Sequence, residues 1–147
     1  VNLNERVHMR RTEVTNDPGG ISRQIQMTSI NAALQVDLYD QANAAFVNGQ
    51  PYSGFGGSTD FIVGALHSKG GASFMALPSW HEKSGSSNIV PRLTETVTSF
   101  QHSFVVTEQG VAECFGRTAT EQATNLIERA AHPDARESLR SYLANWG

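Results

Sequence analysis

The stretch 53-SGFGGSTDF-61 places three glycines, Gly54, Gly56 and Gly57, within four positions and then turns polar. In regular structure each glycine costs roughly 0.5–1 kcal/mol relative to alanine. A chain that accepts this cost needs either positive φ angles or bare backbone that another group can approach. Downstream, Phe61, Ile62, Ala65 and Leu66 follow helical spacing. Ser58 or Thr59 is expected to cap that helix, and Lys69–Gly70 to end it. Upstream, 30-INAALQVDLY-39 sets Ile30, Ala32, Leu34, Val36 and Leu38 against Asn31, Ala33, Gln35, Asp37 and Tyr39, the clearest strand pattern in the chain. After the helix, 73-SFMAL-77 is a short, nearly unbroken apolar run, as expected for a buried strand. Strand, glycine turn, helix and buried strand together predict an α/β layered fold. In open α/β sheets such a turn lies where ligands bind, and a helix N-terminus there favours negative charge.

The remaining segments extend this pattern. An edge strand is expected over 7-VHMRRTEV-14, a turn over 15-TNDPGG-20 and a polar loop over 80–91. Two further strands are predicted at 94-TETVTSF-100 and 103-SFVVTE-108. A helix over 118–131 opens with a capping box of Thr118 and Glu121 and puts Ala119, Ala123, Leu126, Ile127 and Ala130 on one face. A last helix begins at His132–Pro133 and carries Leu139, Tyr142, Leu143 and Trp146 as a stripe.

At 147 residues the chain suits one domain with its own core. Its net charge of −3 gives no global attraction to nucleic acid or an anionic membrane. Cys114 is the single cysteine, so no internal disulfide forms and a reducing, cytoplasmic setting is expected. No apolar run approaches the ~18 residues of a spanning helix. The chain opens at Val1 rather than methionine, which predicts a processed product or a piece of something longer.

Several motif readings fail on spacing. The third glycine of a dinucleotide fingerprint would fall on Thr59, and neither a phosphate loop nor a nucleophile elbow is present. His8, His67, His81, His102 and His132 lack metal-ligand spacing, so no metal is expected. Cys114 has no basic neighbour in sequence and reads as a structural thiol. Glu108 closes an apolar strand just before Gly110. It either faces the crevice that the glycine turn shares or is a solvated loop charge. The glycines themselves fit either a ligand site or a plain tight turn.

Motifs spread over almost the whole chain resemble one family. "SINAALQVDL", "YSGFGGSTDFIVGA", "SKGG", "ALPS", "IVP", "VVTEQGVAE" and "AHPDARESL" stand in the order and spacing of acetyl-CoA hydrolases and transferases. That group includes the acetate, succinate and 4-hydroxybutyrate CoA-transferases. The chain resembles their C-terminal domain. The resemblance implies a three-layer α/β/α, CoA-transferase-like open sheet, mostly parallel or mixed. It implies coenzyme A and acyl-CoA as substrates rather than a resident cofactor, with a short carboxylic acid as the second substrate. The expected partners are the missing N-terminal domain of the same enzyme and further copies in a homo-oligomer.

The implied reaction is nucleophilic catalysis by a glutamate, through an acyl-glutamyl anhydride and a glutamyl-CoA thioester. Gly57 matches the family's oxyanion-hole donor, and a side chain at Gly56 or Gly57 would obstruct the thioester. Asn16 matches a CoA-facing residue, and Glu108 an auxiliary carboxylate near the crevice. The nucleophile lies upstream of the matched region, so residues 1–147 alone are expected to be inactive. Departures fall at Asn88, where many relatives carry arginine, at "LYDQAN" (38–43) and at "WHEKSGSS" (80–87), all read as loops. Water in place of the carboxylic acid would make the enzyme an acyl-CoA hydrolase. A non-catalytic ligand-binding module on the same fold is the alternative from another class.

Overall fold

The computed structural model describes residues 4–95, 97 and 102–146. Residues 7–11 form no strand; the chain instead enters two short helices, α1 (Thr12–Thr15) and α2 (Pro18–Ser22). Asp17 starts α2 because its carboxylate accepts from the Gly19 and Gly20 amides (3.2 and 2.8 Å), with Pro18 pre-set for the first turn.

The predicted strand over 30–39 divides into β1 (Thr28–Ala32) and β2 (Gln35–Asp37), which belong to different sheets. The alternation is real, but it runs across a break between the two. Val36 and Leu38 are fully buried, whereas Ile30 is 72% exposed and its polar neighbour Ser29 is buried. Short pairs follow: β3 (Ala42–Asn43), then the hairpin of β4 (Phe46–Val47) and β5 (Gln50–Pro51), turned by Asn48 and Gly49 at positive φ.

The helix after the glycines is α3 (Ser58–His67), which ends slightly earlier than predicted. It leads into β6 (Ala72–Ala76), the predicted buried strand. The expected polar loop at 80–91 holds a small hairpin, β7 (Trp80–His81) with β8 (Ser86–Ser87), and then β9 (Ile89–Val90), which pairs parallel to β2. Most of the strand predicted over 94–100 lies outside the described residues. β10 (Phe104–Thr107) and β11 (Gly110–Glu113) form an antiparallel hairpin. The predicted capping box starts α4 (Ala119–Asn125), which runs on as a π-helical turn over Leu126–Ala130. Ala119 is exposed, while Ala123, Leu126, Ile127 and Ala130 are buried. α5 (Pro133–Ala144) completes the chain, with His132 Nδ1 accepting from the Asp134 amide at its start.

The main sheet has the order β1-β6-β10-β11, its first three strands parallel and the last antiparallel. This is the mixed sheet expected of an α/β fold. One face carries Ser29, Ser73, Met75, Val105, Thr107 and Ala112, all buried. The described long helices pack there. A Cβ on Gly71 would collide with the Ala65 carbonyl of α3, and Thr107 Oγ1 donates to Ala130 O (2.7 Å). Met75, Val105, Ile62, Leu126, Ile127 and Leu139 share one core with Val36 and Ile89 of the second sheet, β3-β2-β9, and with Leu38 just after β2. Cys114 is fully buried within it, and burial pushes its thiol well above the ordinary range, as suits a structural residue.

Candidate active site

Helix α3 sets the end of the sheet at which the glycine turn sits. Its carboxyl end is tied to the start of β1: the Gln26 amide donates to Lys69 O and the Met27 amide to Ser68 Oγ, each at 3.0 Å. Helix and strand each span roughly 15–17 Å. Gly57 therefore lies at the carboxyl end of the parallel strands, the ligand end of such sheets.

Locally, the turn is held from below and open above. The Tyr52 and Ser53 amides donate to Ala45 O (2.7 and 3.2 Å), and Ser58 Oγ donates to Phe55 O (2.8 Å). Gly56 has φ +63, the left-handed conformation that favours glycine. Gly57, at φ −91, is itself the N-cap residue of α3; neither Ser58 nor Thr59 takes that place. The first-turn N–H groups are thus left without a side-chain cap, at the positive end of the helix dipole.

Gly57 needs bareness rather than freedom. An added Cβ would overlap the side-chain amide of Asn16. That contact depends on α2 packing against α3 through Ile21 and Gly64, where a methyl on Gly64 would overlap Ile21. Asn16 Oδ1 accepts from Thr15 Oγ1 (2.9 Å), which leaves Nδ2 turned to the glycine. Asn16 and Gly57, far apart in sequence, are therefore brought against each other, with Gly56 next to Gly57 in the turn. Beside it is an apolar cavity of about 360 Å³, lined in part by Phe46, Gly54, Phe55, Ser58, Ile62 and Met75.

Glu108 follows the last residue of β10 at the same end of the sheet. Among the described residues no hydrogen bond joins it to the glycine turn. Its carboxylate accepts from the Ser79 amide (2.9 Å), from Ser79 Oγ through a very short bond, and from Gln109 Nε2 (3.2 Å). The Ser79 hydroxyl above all holds Glu108 down to about 2, so it stays ionised across the physiological range.

Three supporting residues escaped the sequence reading. Ser79 was legible only as part of "ALPS", with no sign that it would grip Glu108. Asn88 is no free loop residue: it is buried, donates from Nδ2 to Pro78 O and from its amide to Ser79 O (both 2.9 Å), and accepts from the Val36 amide. It steadies the loop behind Glu108. The third is Asp40, at φ +61, which accepts from both the amide and Nδ1 of fully buried His102 (2.6 and 2.7 Å). Burial raises the Asp40 carboxyl above its usual range. Among the described residues no group of three His, Cys, Asp or Glu is placed to hold a metal ion, and no helix is long and apolar enough to cross a membrane.

A mixed α/β sheet packed with helices is the fold found in CoA-transferase domains. The chain belongs to the acetyl-CoA hydrolase/transferase family: the family's C-terminal domain matches residues 1–143. It is 39% identical over 143 residues to succinyl-CoA:cyclohexane-1-carboxylate CoA transferase of Geobacter metallireducens, covering 95% of this chain and 32% of that protein. It is 40% identical to the 4-hydroxybutyrate coenzyme A transferase of Clostridium kluyveri, covering 95% and 33%. The crystal structure of RipA from Yersinia pestis superposes with a TM-score of 0.89 at 38% identity, covering 97% of this chain and 33% of that one. The chain thus spans about a third of the length of these relatives.

Proposed function

We propose that this domain, together with the upstream portion that its relatives possess, moves CoA between an acyl-CoA and a short carboxylic acid. The observation that carries the reading is the meeting of Asn16 and Gly57 at the uncapped entrance of α3. A glutamate carboxylate on the upstream portion attacks the thioester carbonyl, whose oxygen becomes an oxyanion. The Gly57 amide and the positive end of α3 stabilise that charge, and a side chain at Gly57 would push the Asn16 amide out of its place beside that donor. Collapse breaks the C–S bond and gives an acyl-glutamyl anhydride and CoA thiolate. The thiolate attacks the glutamyl carbonyl, releases the acyl carboxylate and leaves a glutamyl-CoA thioester. An incoming carboxylate reverses the two steps and leaves with CoA.

The Asn16 amide presents donors to the CoA side of the same space. The apolar cavity beside Phe55 suits a short hydrocarbon acyl group, because it offers area but few polar partners. Glu108 is a fixed negative charge at the crevice. Ionised down to about pH 2 and occupied by Ser79, it is poorly suited to take up a proton or to attack. A reducing, cytoplasmic setting fits the buried free thiol. A CoA-transfer assay with acetyl-CoA or butyryl-CoA as donor and acetate, butyrate or 4-hydroxybutyrate as acceptor, run on the full-length protein, tests the reading. Release of free CoA in water alone, with no transfer to any acid, would replace transferase by hydrolase.

A further inference from the structure

The cavity beside the glycine turn has a size and a polarity that CoA transfer alone does not require. Gly54, Phe55 and Ser58, all within three residues of Gly57, stand in its wall. Its deepest lining is Ile62, one turn further along α3, and Met75 of β6, which are 0% and 2% exposed. Ala42, Ala44 and Ala45 also line it, and such small side chains leave it wide. Ala42 belongs to the 38–43 stretch in which this chain departs from the family pattern. At about 360 Å³ the cavity is more than twice the size of an apolar cavity of roughly 150 Å³ that holds benzene. Ser53 and Ser58 supply the side-chain hydroxyls of the described lining, and both are engaged. Ser53 Oγ donates to Ala44 O (3.3 Å) and Ser58 Oγ to Phe55 O (2.8 Å). Among the described residues no charged side chain borders this cavity. Phe46 lines it too, and also borders a second cavity of about 570 Å³ where His81, Ser86 and Glu95 stand. The charged and hydrogen-bonding side chains are thus gathered in the other cavity.

We infer that the apolar cavity selects the acyl group: it takes an unsubstituted hydrocarbon chain of about four to six carbons in preference to acetyl, and it rejects a chain that ends in a carboxylate. A two-carbon acyl group held at Gly57 leaves the buried surfaces of Ile62 and Met75 uncovered. Each further methylene buried against them adds about fourfold in affinity. A terminal carboxylate driven to the same depth gives up its water and meets no side-chain donor, which outweighs the gain from the chain. Ala45 and Phe55 are the residues that set this choice. The first keeps the cavity wide; the second, 55% exposed, lies over the chain at the mouth. The inference rests on the reading that the thioester carbonyl meets the Gly57 amide, because that contact directs the acyl chain into this cavity.

Binding and transfer are measured separately on the full-length polypeptide. The binding probes are S-ethyl-CoA, S-hexyl-CoA and an S-hexyl-CoA whose chain ends in a carboxylate. These thioethers have no carbonyl for a carboxylate to attack, so calorimetry reads binding alone. S-hexyl-CoA should bind on the order of a hundredfold tighter than S-ethyl-CoA. The carboxylate-ended probe should bind no tighter than S-ethyl-CoA. Ala45→Leu fills the cavity and should lower the hexyl-to-ethyl preference about tenfold. Phe55→Ala, at an exposed position, should lower it by about the same factor and serves where Ala45→Leu does not fold. In transfer assays the ratio of kcat/KM for hexanoyl-CoA to that for acetyl-CoA should fall in the same variants. Equal binding of S-ethyl- and S-hexyl-CoA would overturn the inference. So would tight binding of the carboxylate-ended probe, or a preference that neither variant changes. The expected binding pattern without acyl transfer would sink the proposed reaction and leave the acyl cavity standing. Transfer without the binding preference would do the reverse.

Discussion

The side-chain amide of Asn16 occupies the space that a Cβ on Gly57 would need. The two residues come from separate elements, brought together by the packing of α2 on α3. Gly57 has a φ of −91, which any residue tolerates, so a side chain there brings no backbone strain. Its neighbour is the end of a short, partly exposed side chain that can swing away. Gly57→Val in the full-length enzyme should therefore cost little stability, about 1 kcal/mol or less by urea denaturation. Turnover should fall about 10²–10³-fold, because the valine side chain and the displaced Asn16 keep the thioester from the backbone amide, which the substitution itself leaves in place. Near-normal kcat in a folded variant would remove Gly57 from the site.

Glu108 yields a prediction in which the sign of a pH effect matters. Its pKa, ordinarily 4.5, falls to about 2 in the folded chain, chiefly through the Ser79 hydroxyl. A depressed carboxylate contributes stability that is fully present above 4.5 and disappears as pH falls from 4.5 towards 2. Ser79→Ala should be less stable than the parent at neutral pH, and the gap should close on acidification through that window. A gap independent of pH would show that Ser79 acts through packing alone. The same bonds make Glu108 a poor nucleophile: borohydride reduction of the glutamyl-CoA thioester, followed by peptide mapping, should label a residue other than Glu108.

How legible was all this in the sequence? β6, β10, α4 and α5 stand where their patterns put them, because each buries a single face and the caps at Thr118 and His132 are local devices. β1 was harder. Its core-facing positions are Ser29 and Asn31, while Ile30 faces outward, so the apolar parity suggested one long strand continuing through Val36. An apolar residue on the open face and a polar one on the covered face invert the usual hydropathy signal. In the site, the glycine turn was visible as composition and Asn16 only through a family resemblance. The grip of Ser79 and Asn88 on the Glu108 loop depends on tertiary pairing of β2, β9 and the strand ends, which no short motif encodes.

The buried pair of Asp40 and His102 links the turn after β2 to the entrance of β10. Asp40 accepts two hydrogen bonds there, and both groups are almost wholly shielded from water. Asp40→Ala would leave the His102 amide and ring nitrogen buried and unpaired. It should cost a few kcal/mol, at about 1–3 kcal/mol for each buried group left unpaired. Asp40→Asn, which keeps an acceptor, should cost distinctly less. Equal losses for the two variants in chemical denaturation would mean that space filling, not hydrogen bonding, holds this corner.

The last prediction concerns the domain by itself. Residues 1–147 should unfold cooperatively, since one core joins both sheets and the helices. They should nonetheless transfer no CoA. Donors such as the Gly57 amide stabilise an oxyanion only after a nucleophile has attacked, and Glu108, at the end of β10, is occupied by Ser79. CoA itself should bind weakly, because a cleft that has lost one wall buries little of its ligand. The measurement is acyl transfer by the purified chain, alone and mixed with the upstream portion of a family enzyme. Activity should appear only in the mixture or in the joined polypeptide. Transfer by the 147 residues alone would mean that a competent nucleophile lies within them, and Glu108 would then have to be tested first, as Glu108→Gln.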